Sequence, residues 1–304
     1  MKPLRIVLVG EESAGRQVLE RVARTDHELV AVLTSEADGA IAKLAARLDV
    51  EVLPAQWVKE LEFAAWLDEQ AIDVLLNVHS LYIVRGEAVG APPLGSFNLH
   101  PGPLPEYAGL NCVSWAIYEG AAEYGVTLHE MVATIDAGDV VSEVRFPIES
   151  SDTPFTLATK CIREGVPLVV DLVDKLATDP ESLERRAQDQ TGRRYYDKSV
   201  PRDGLIDWDT PTEEVLRFIR AFDYFRFESP WGRPKIIYRG DIYEVKRALP
   251  SDAESDEAPG VIGQLTTDGI PVGTADGSVV IAALVGSDGD LDPADLLTPG
   301  ESLG

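Results

Sequence analysis

An asparagine and a histidine stand two residues apart at positions 98 and 100, between a short apolar run and a turn rich in proline and glycine. In a β-strand, residues two apart lie on the same face, so the amide of Asn98 and the imidazole of His100 can point at one small group. An aspartate, Asp136, follows just before a second strand-like run. An amide, an imidazole and a carboxylate together can stabilise an oxyanion and move protons. These three side chains are the candidate catalytic group.

The first half of the chain alternates strand-like and helix-like segments, which predicts a mostly parallel sheet with helices on both faces. The predicted strands are 5–10, 29–33, 50–53, 72–77, the segment with Asn98 and His100, 126–132 and 140–147. The predicted helices are 13–24, 40–48, 58–69, 111–119 and 155–176. The sequence therefore predicts an α/β fold.

The second half of the chain has a different pattern. Residues 178–201 are polar and aperiodic, so we interpret them as a linker. After a predicted helix at 212–221, short strands favour a small antiparallel barrel or sheet. The predicted strands are 235–238, 242–245, 261–265, 270–274 and 279–283, with an acidic loop at 251–258. We expect three regions, which are a catalytic domain (1–178), a linker (179–203) and a C-terminal accessory domain (204–304).

Composition excludes several classes of protein. The chain carries 52 acidic and 27 basic residues, a formal net charge of −25, which argues against a nucleic-acid partner. No run of 18 apolar residues occurs, so no membrane span is expected. The two cysteines, Cys112 and Cys161, are too few for a disulfide framework or a cysteine-based metal site. With no signal-peptide pattern at the N-terminus, we expect a cytoplasmic protein without a metal centre.

Further motifs accompany the candidate catalytic group. The matching stretches are Asn98 to His100, Leu104 to Gly109, Gly125 to His129 and Asp136 to Asp139. Together they resemble the folate-dependent formyltransferases, which include methionyl-tRNA, glycinamide ribonucleotide and sugar-nucleotide N-formyltransferases. The resemblance covers residues 5–178 and continues more weakly to about residue 285. It implies a Rossmann-like, mostly parallel sheet and a smaller C-terminal β-rich, OB-like domain.

The resemblance also implies roles for the three side chains. His100 would contact the formyl group, and Asn98 would donate a hydrogen bond to the oxyanion that forms. Asp136 would interact with His100, raise its pKa and help to remove the proton of the amine. We interpret His79 and His129 as structural residues, because neither has an evident catalytic partner in the sequence.

By resemblance the cofactor is 10-formyltetrahydrofolate, with its pterin ring in an apolar slot read mainly by backbone groups. The aligned cofactor-binding residues are Tyr82, Ile83, Val84, Val132, Ala133, Thr134, Ile135 and Asp136. Plain core packing is the alternative interpretation of Tyr82, Ile83 and Val84. One departure from the family is Leu110, which stands where several relatives carry an arginine at the rim of the site.

The loop from Gly10 to Gly15 follows the first predicted strand. It has the spacing of a phosphate-binding loop without the usual Lys and Ser/Thr, and its two acids oppose phosphate. We interpret it as a tight strand-to-helix turn.

The sequence thus predicts an N-formyltransferase for the primary amine of a small molecule, and an amino-sugar nucleotide is the favoured acceptor. The acidic charge argues against tRNA. The alternatives are a methionyl-tRNA formyltransferase, an enzyme for a hydroxyornithine-type amine, and a non-catalytic folate- or nucleotide-binding homologue. A homodimer stays open.

Overall fold

The computed structural model describes residues 2–251, 257–287 and 289–304. The chain forms two units. The first comprises Met1–Cys112, Ala122–Ile148 and Ala158–Tyr196, and the second comprises Val113–Ala121, Glu149–Leu157 and Asp197–Gly304. Residues 252–256, most of the predicted acidic loop, lie outside the described residues.

A seven-stranded sheet forms the centre of the first unit, and a short strand pair lies beside it. In chain order the strands are β1 (Arg5–Gly10), β2 (Glu28–Thr34), β3 (Glu51–Pro54), β4 (Val74–Val78), β5 (Ser96–His100), β6 (Ala108–Gly109), β7 (Glu123–Glu130), β8 (Val140–Pro147) and β9 (Tyr195–Tyr196). The sheet order is β3-β2-β1-β4-β5-β7-β8, and β6 pairs with β9. Strands β1 to β5 of the large sheet run parallel, whereas β7 and β8 are antiparallel additions at one edge. This confirms the predicted mostly parallel sheet.

The central strands are apolar because both of their faces are covered. Ile6 to Val9 of β1 and Val74 and Leu75 of β4 are fully buried. The helices up to residue 178 are α1 (Glu12–Val22), α2 (Ala40–Arg47), α3 (Leu61–Glu69), α4 (Gly86–Val89), α5 (Cys112–Glu119) and α6 (Pro154–Thr178). The predicted start of the third helix at residue 58 is wrong, because Ala55–Lys59 forms a separate 3₁₀ turn and Glu60 is extended.

Helix α6 packs against the strand that carries the candidate site. A Cβ atom added to Gly165 would lie 2.8 Å from Val126 and 3.0 Å from a methyl group of Leu99. Leu99 stands between Asn98 and His100, so its side chain points to the opposite face of β5. Close packing of α6 on this face therefore supports the position of both polar residues on the other.

The segment that follows α6 is attached to the first unit. Arg186 and Val140 exchange two main-chain hydrogen bonds of 2.9 Å, and β9 pairs with β6. These contacts involve part of the segment interpreted as a linker. The division of the chain at 1–178, 179–203 and 204–304 stays a prediction.

The second unit contains an antiparallel sheet with order β10-β11-β13-β12, and β14 pairs with β13. Its later elements are α7 (Thr212–Arg220), β10 (Lys235–Tyr238), β11 (Asp241–Pro250), β12 (Ile270–Gly273), β13 (Ser278–Gly286), β14 (Gly289–Leu291) and α8 (Pro293–Leu296). The predicted strand at 261–265 is wrong. Val261 and Ile262 form isolated bridges, and Thr266 then closes a turn with Gly269. Among the described helices, none is long and apolar enough to cross a membrane.

Candidate active site

Strand β5 carries the amide and the imidazole on one face. The parallel register places Asn77 of β4 beside Asn98, and Nδ2 of Asn77 donates to Oδ1 of Asn98 over 3.0 Å. On the other side, His129 of β7 lies opposite Asn98. The bond from Asn77 fixes the Asn98 amide, so that its own NH₂ group faces β7 and the loop that follows it.

Asp136 reaches this face from the loop between β7 and β8. Its φ is +52°, a left-handed conformation uncommon for a residue with a side chain. The carboxylate accepts a hydrogen bond from the main-chain N–H of Gly109 over 2.9 Å and a longer one from Nδ2 of Asn98 over 3.4 Å. Its Oδ2 lies 3.6 Å from Nδ1 of His100. The structure thus brings the three predicted side chains into one cluster.

His129 is a fourth member of the cluster. Its Nε2 lies 3.0 Å from Nδ2 of Asn98 and 3.5 Å from Oδ1 of Asp136. Its Nδ1 lies 2.7 Å from the main-chain oxygen of Glu130. Because a carbonyl oxygen only accepts, the network assigns the hydrogen to Nδ1, and Nε2 accepts from Asn98. Sequence reasoning missed this placement, since the pairing of β7 with β5 is a tertiary feature.

The Asp136 loop is held by side chains from the segment after α6. Nε2 of Gln188 donates to the main-chain oxygens of Asp136 and Gly138 over 3.0 and 2.6 Å. The guanidinium of Arg193 donates to the oxygens of Asp136 and Ile135 over 3.0 and 2.6 Å. These bonds fix the left-handed turn that carries the carboxylate.

Burial and charge have opposite effects on protonation in the cluster. Burial is the largest influence on His100 and lowers its pKa, outweighing the opposite effect of the Asp136 carboxylate. Asp136 does act to raise the pKa of His100, as expected, but burial makes the net shift downward. Burial is also the largest influence on Asp136 and would raise its pKa, but His100, His129 and the Gly109 amide together hold that pKa below its ordinary range. The resting cluster therefore combines a neutral imidazole with an ionised carboxylate.

The tautomer of His100 follows from its second ring nitrogen. Nε2 lies 2.6 Å from the main-chain oxygen of Tyr107, so Nε2 carries the hydrogen. Nδ1, which faces Asp136, is then the basic nitrogen. A proton taken up at Nδ1 would form an ion pair with the carboxylate, and this arrangement suits a group that accepts a proton during a reaction.

The first segment predicted to hold the cofactor lies at an apolar cluster, which also contacts Met131, the residue before the second segment. Val84 is buried in that cluster, and Tyr82 and Met131 pack against it. Ile83 and Val132 are 62% and 46% exposed, and the side chains that continue the second segment as far as residue 135 are also exposed. Core packing therefore accounts for Val84 and for part of Tyr82, whereas Ile83 and Val132 lie at the surface, where they can contact a flat ring.

Two cavities lie beside these residues. One, of about 350 Å³, is lined by Pro54, Gln56, Trp57, Lys59, Glu60 and Tyr82. The other, of about 520 Å³, is lined by Glu106, Tyr107, Thr191, Gly192, Arg193 and Arg194. The second cavity includes Tyr107 and Arg193, which contact His100 and the Asp136 loop.

Other residues singled out in the sequence lie as follows. Leu110 is half-buried, and its N–H donates to Tyr196 over 2.8 Å. Burial raises the pKa of the Cys112 thiol, which leaves it unreactive. In the second unit, Phe225 and Phe227 are exposed. Within the described residues, no group of three or more His, Cys, Asp and Glu side chains is placed to hold a metal ion.

Comparison with known proteins bears on this site. Residues 4–173 match the family described as formyl transferase, and residues 198–293 match formyl transferase, C-terminal domain. A methionyl-tRNA formyltransferase from Roseiflexus castenholzii (strain DSM 13941 / HLO8) is 30% identical over 291 residues, which cover 91% of this chain and 90% of that protein.

Solved structures share the fold. An N-formyltransferase from Helicobacter canadensis, in complex with folinic acid and dTDP-3-aminofucose, superposes with a TM-score of 0.70 at 18% identity, covering 92% of this chain and 99% of that one. HypX from Aquifex aeolicus, in complex with tetrahydrofolic acid, gives a TM-score of 0.66 at 22% identity. That match covers 97% of this chain but 46% of HypX, so the chain spans about half the length of that relative. With both family matches and the 30% identical relative, the chain belongs to the formyl transferase family.

Proposed function

We propose that this protein transfers the formyl group of 10-formyltetrahydrofolate to the primary amine of a small acceptor, an amino-sugar nucleotide. The observation that carries the proposal is the cluster of Asn98, His100 and Asp136 on one face of β5, with the carboxylate 3.4 Å from the amide and 3.6 Å from the imidazole. Family membership supports formyl transfer as the chemistry. The non-catalytic alternative is disfavoured because the three side chains are present and assembled.

The residues at the surface fit a folate. Exposed Ile83 and Val132 supply apolar contacts for the pterin, and the main chain of 132–136 supplies hydrogen-bonding groups. Structural relatives were solved with tetrahydrofolic acid and with folinic acid. The bound folate would supply an activated formyl group.

In this proposal the N–H of Asn98 that makes only the longer 3.4 Å bond to Asp136 donates instead to the formyl oxygen and stabilises the negative charge that develops there. His100, neutral at rest, takes a proton from the attacking nitrogen at Nδ1. Asp136 stabilises the imidazolium that results and is itself held ionised. His129 keeps the Asn98 amide aligned from the side of β7.

The charge of the chain supports a small acceptor. A net charge of −25 disfavours a polyanion as large as tRNA. Methionyl-tRNA is the second candidate acceptor, favoured by the 30% identity to the Roseiflexus enzyme.

Release of tetrahydrofolate in the presence of a panel of amines tests the proposal. The panel should include amino-sugar nucleotides, a hydroxyornithine-type amine and methionyl-tRNA. We expect turnover with an amino-sugar nucleotide and none with methionyl-tRNA. Turnover with methionyl-tRNA alone would reverse the choice of acceptor, and no turnover with any amine would overturn the proposed activity.

A further inference from the structure

His79 is a buried polar side chain that the chemistry above leaves unused. Its side chain is 8% exposed, and its Nε2 has no hydrogen-bond partner within the part of the chain that the structure describes. The residue follows β4 directly and has a φ of +59°. A buried ring nitrogen without a partner, on a backbone in a costly conformation, is typical of a functional position.

The sheet places His79 at the edge where the reaction would occur. Strands β4 and β5 run parallel with Val78 level with Leu99, so the residues that follow, His79 and His100, lie at the same edge. The pKa of His100 is lowered mainly by burial, and the charge of His79 adds to that lowering.

Glu12 orients the ring of His79 from the first turn of α1. Its Oε2 lies 3.6 Å from Nδ1 of His79, and its φ of +56° is also left-handed. The interaction with His79 is the largest influence on the pKa of the Glu12 carboxyl and lowers it, so the group is ionised at neutral pH. A carboxylate at Nδ1 keeps the hydrogen there and leaves the lone pair on Nε2.

We propose that His79 is the general base that takes the first proton from the acceptor ammonium, and that Glu12 is its positioning residue. This rests on the proposed function, because it concerns the amine that receives the formyl group. It also names the kind of acceptor. A cationic primary amine suits an edge with a carboxylate and a free imidazole nitrogen, whereas a phosphate does not.

The acceptor nitrogen loses two protons in each transfer. A primary amine arrives as an ammonium at neutral pH, and Nε2 of His79 takes one proton, which frees the nitrogen lone pair. The bond from that nitrogen to the formyl carbon forms, and the bond from the carbon to N10 of the folate breaks. A second proton from the acceptor nitrogen passes through His100 to N10. The proton on His79 is released to solvent, so each transfer yields one formamide, one tetrahydrofolate and one proton.

The decisive measurement compares acceptor kinetics of wild type and His79→Gln across pH, with saturating folate and the amine that the panel identifies. At about pH 6.5, we expect kcat/KM for the amine to fall about 100-fold in the variant. Well above the pKa of the amine, where the acceptor is already neutral, we expect the two proteins to converge. Of the titratable groups, Glu12 of α1 lies 3.6 Å from His79, and His100 lies at the same edge of the sheet.

Two controls make the comparison specific. His100→Ala should lose activity at every pH, because its proton transfer follows attack. Glu11→Gln changes the neighbouring acid, which bonds Thr34 and Ser35 instead, and should behave as wild type. Stabilisation by 5-formyltetrahydrofolate should be the same in His79→Gln as in wild type, which shows that the folate site is intact.

Glu12→Gln supplies a second variant and a readout independent of activity. In wild type, ¹⁵N NMR of the His79 ring should show the hydrogen on Nδ1, and in Glu12→Gln that preference should weaken while kcat/KM falls. Three results would each overturn the inference without touching the proposed function. They are a loss of kcat/KM in His79→Gln that is equal at all pH values, kcat/KM in His79→Gln equal to that of wild type, and a hydrogen on Nε2 of His79 in the wild-type protein. Wild-type protein that formylates no amine would overturn the proposed function together with it.

Discussion

The Asp136 carboxylate is ionised although it is buried, because its neighbours compensate for the lost hydration. The Gly109 N–H donates to Oδ2 over 2.9 Å, and Nδ2 of Asn98 donates to Oδ1 over 3.4 Å. A charge compensated in this way depends on each partner, and each partner depends on the charge. A substitution that removes the charge of Asp136 but keeps the shape of its side chain therefore measures what that charge contributes.

We expect Asp136→Asn to lower kcat by at least about 100-fold, because the imidazolium formed at His100 loses its partner. His100→Ala should have an effect of similar size, with the fold retained in both variants. Asp139→Asn, which changes a second acid in the same loop, is the matched control and should retain activity. Steady-state kinetics with a confirmed acceptor check this, and near-normal kcat in Asp136→Asn or His100→Ala would contradict the mechanism.

The sequence predicted the site residues that lie close together along the chain. It did not predict the residue that reaches the site only through the pairing of distant strands. Asn98 and His100 share a face through the period of a strand, and the surrounding motifs pointed to Asp136. His129 joins them only because β7 pairs with β5 in one register. The direction of the pKa shift of His100 could not be predicted from the sequence either, because burial, its main cause, is a property of the folded chain.

At the level of elements, the loop between β7 and β8 depends on the segment after α6. Gln188 and Arg193 bind the carbonyl oxygens of residues 135, 136 and 138. We expect Gln188→Ala or Arg193→Ala to lower kcat about tenfold, because misplacement of a catalytic group reduces the chemical step. Gln190→Ala, an exposed neighbour, is the control. A change in Km for folate with kcat preserved would show that these residues act on binding instead.

Packing of α6 on β5 gives a second test at this level. Gly165→Val inserts methyl groups where Val126 and Leu99 already lie within 3.0 Å of an added Cβ. Overpacking of this kind costs about 1–3 kcal/mol, so we expect a lower unfolding midpoint and reduced activity through displaced β5. Gly86→Val, with nothing within 4 Å of its Cβ, is the control. Equal unfolding midpoints of the two variants in urea would contradict the close packing of α6 on β5.

Element predictions succeeded where periodicity was long and failed at short segments. The parallel strands of the first unit follow from their apolar runs. The start of α3 was misplaced because the 3₁₀ turn at Ala55–Lys59 has an equally apolar pattern. At 261–265 the apolar residues suggested a strand, but pairing ends after Ile262 because a turn begins at Thr266.

At the scale of the whole molecule, the acidic surface limits the choice of acceptor. Binding to tRNA needs lysines and arginines that displace counterions from phosphates. The densest basic segments lie at 185–186 and 193–194, and much of their charge is already used internally. Arg185 pairs with Glu130, and Arg186 with Glu143, each at 2.6 Å. Arg193 donates to main-chain oxygens of the Asp136 loop.

We therefore expect no salt-sensitive binding of initiator tRNA at sub-micromolar protein in physiological salt. Filter binding with labelled tRNA measures this directly, and the Roseiflexus castenholzii methionyl-tRNA formyltransferase serves as the comparison protein. A chain with a net charge of −25 repels the polyanion at long range. Lowering the salt concentration increases the range of that repulsion, so it should not restore binding. Tight binding that weakens steeply as salt rises would instead reveal a local basic face, and would make methionyl-tRNA the favoured acceptor.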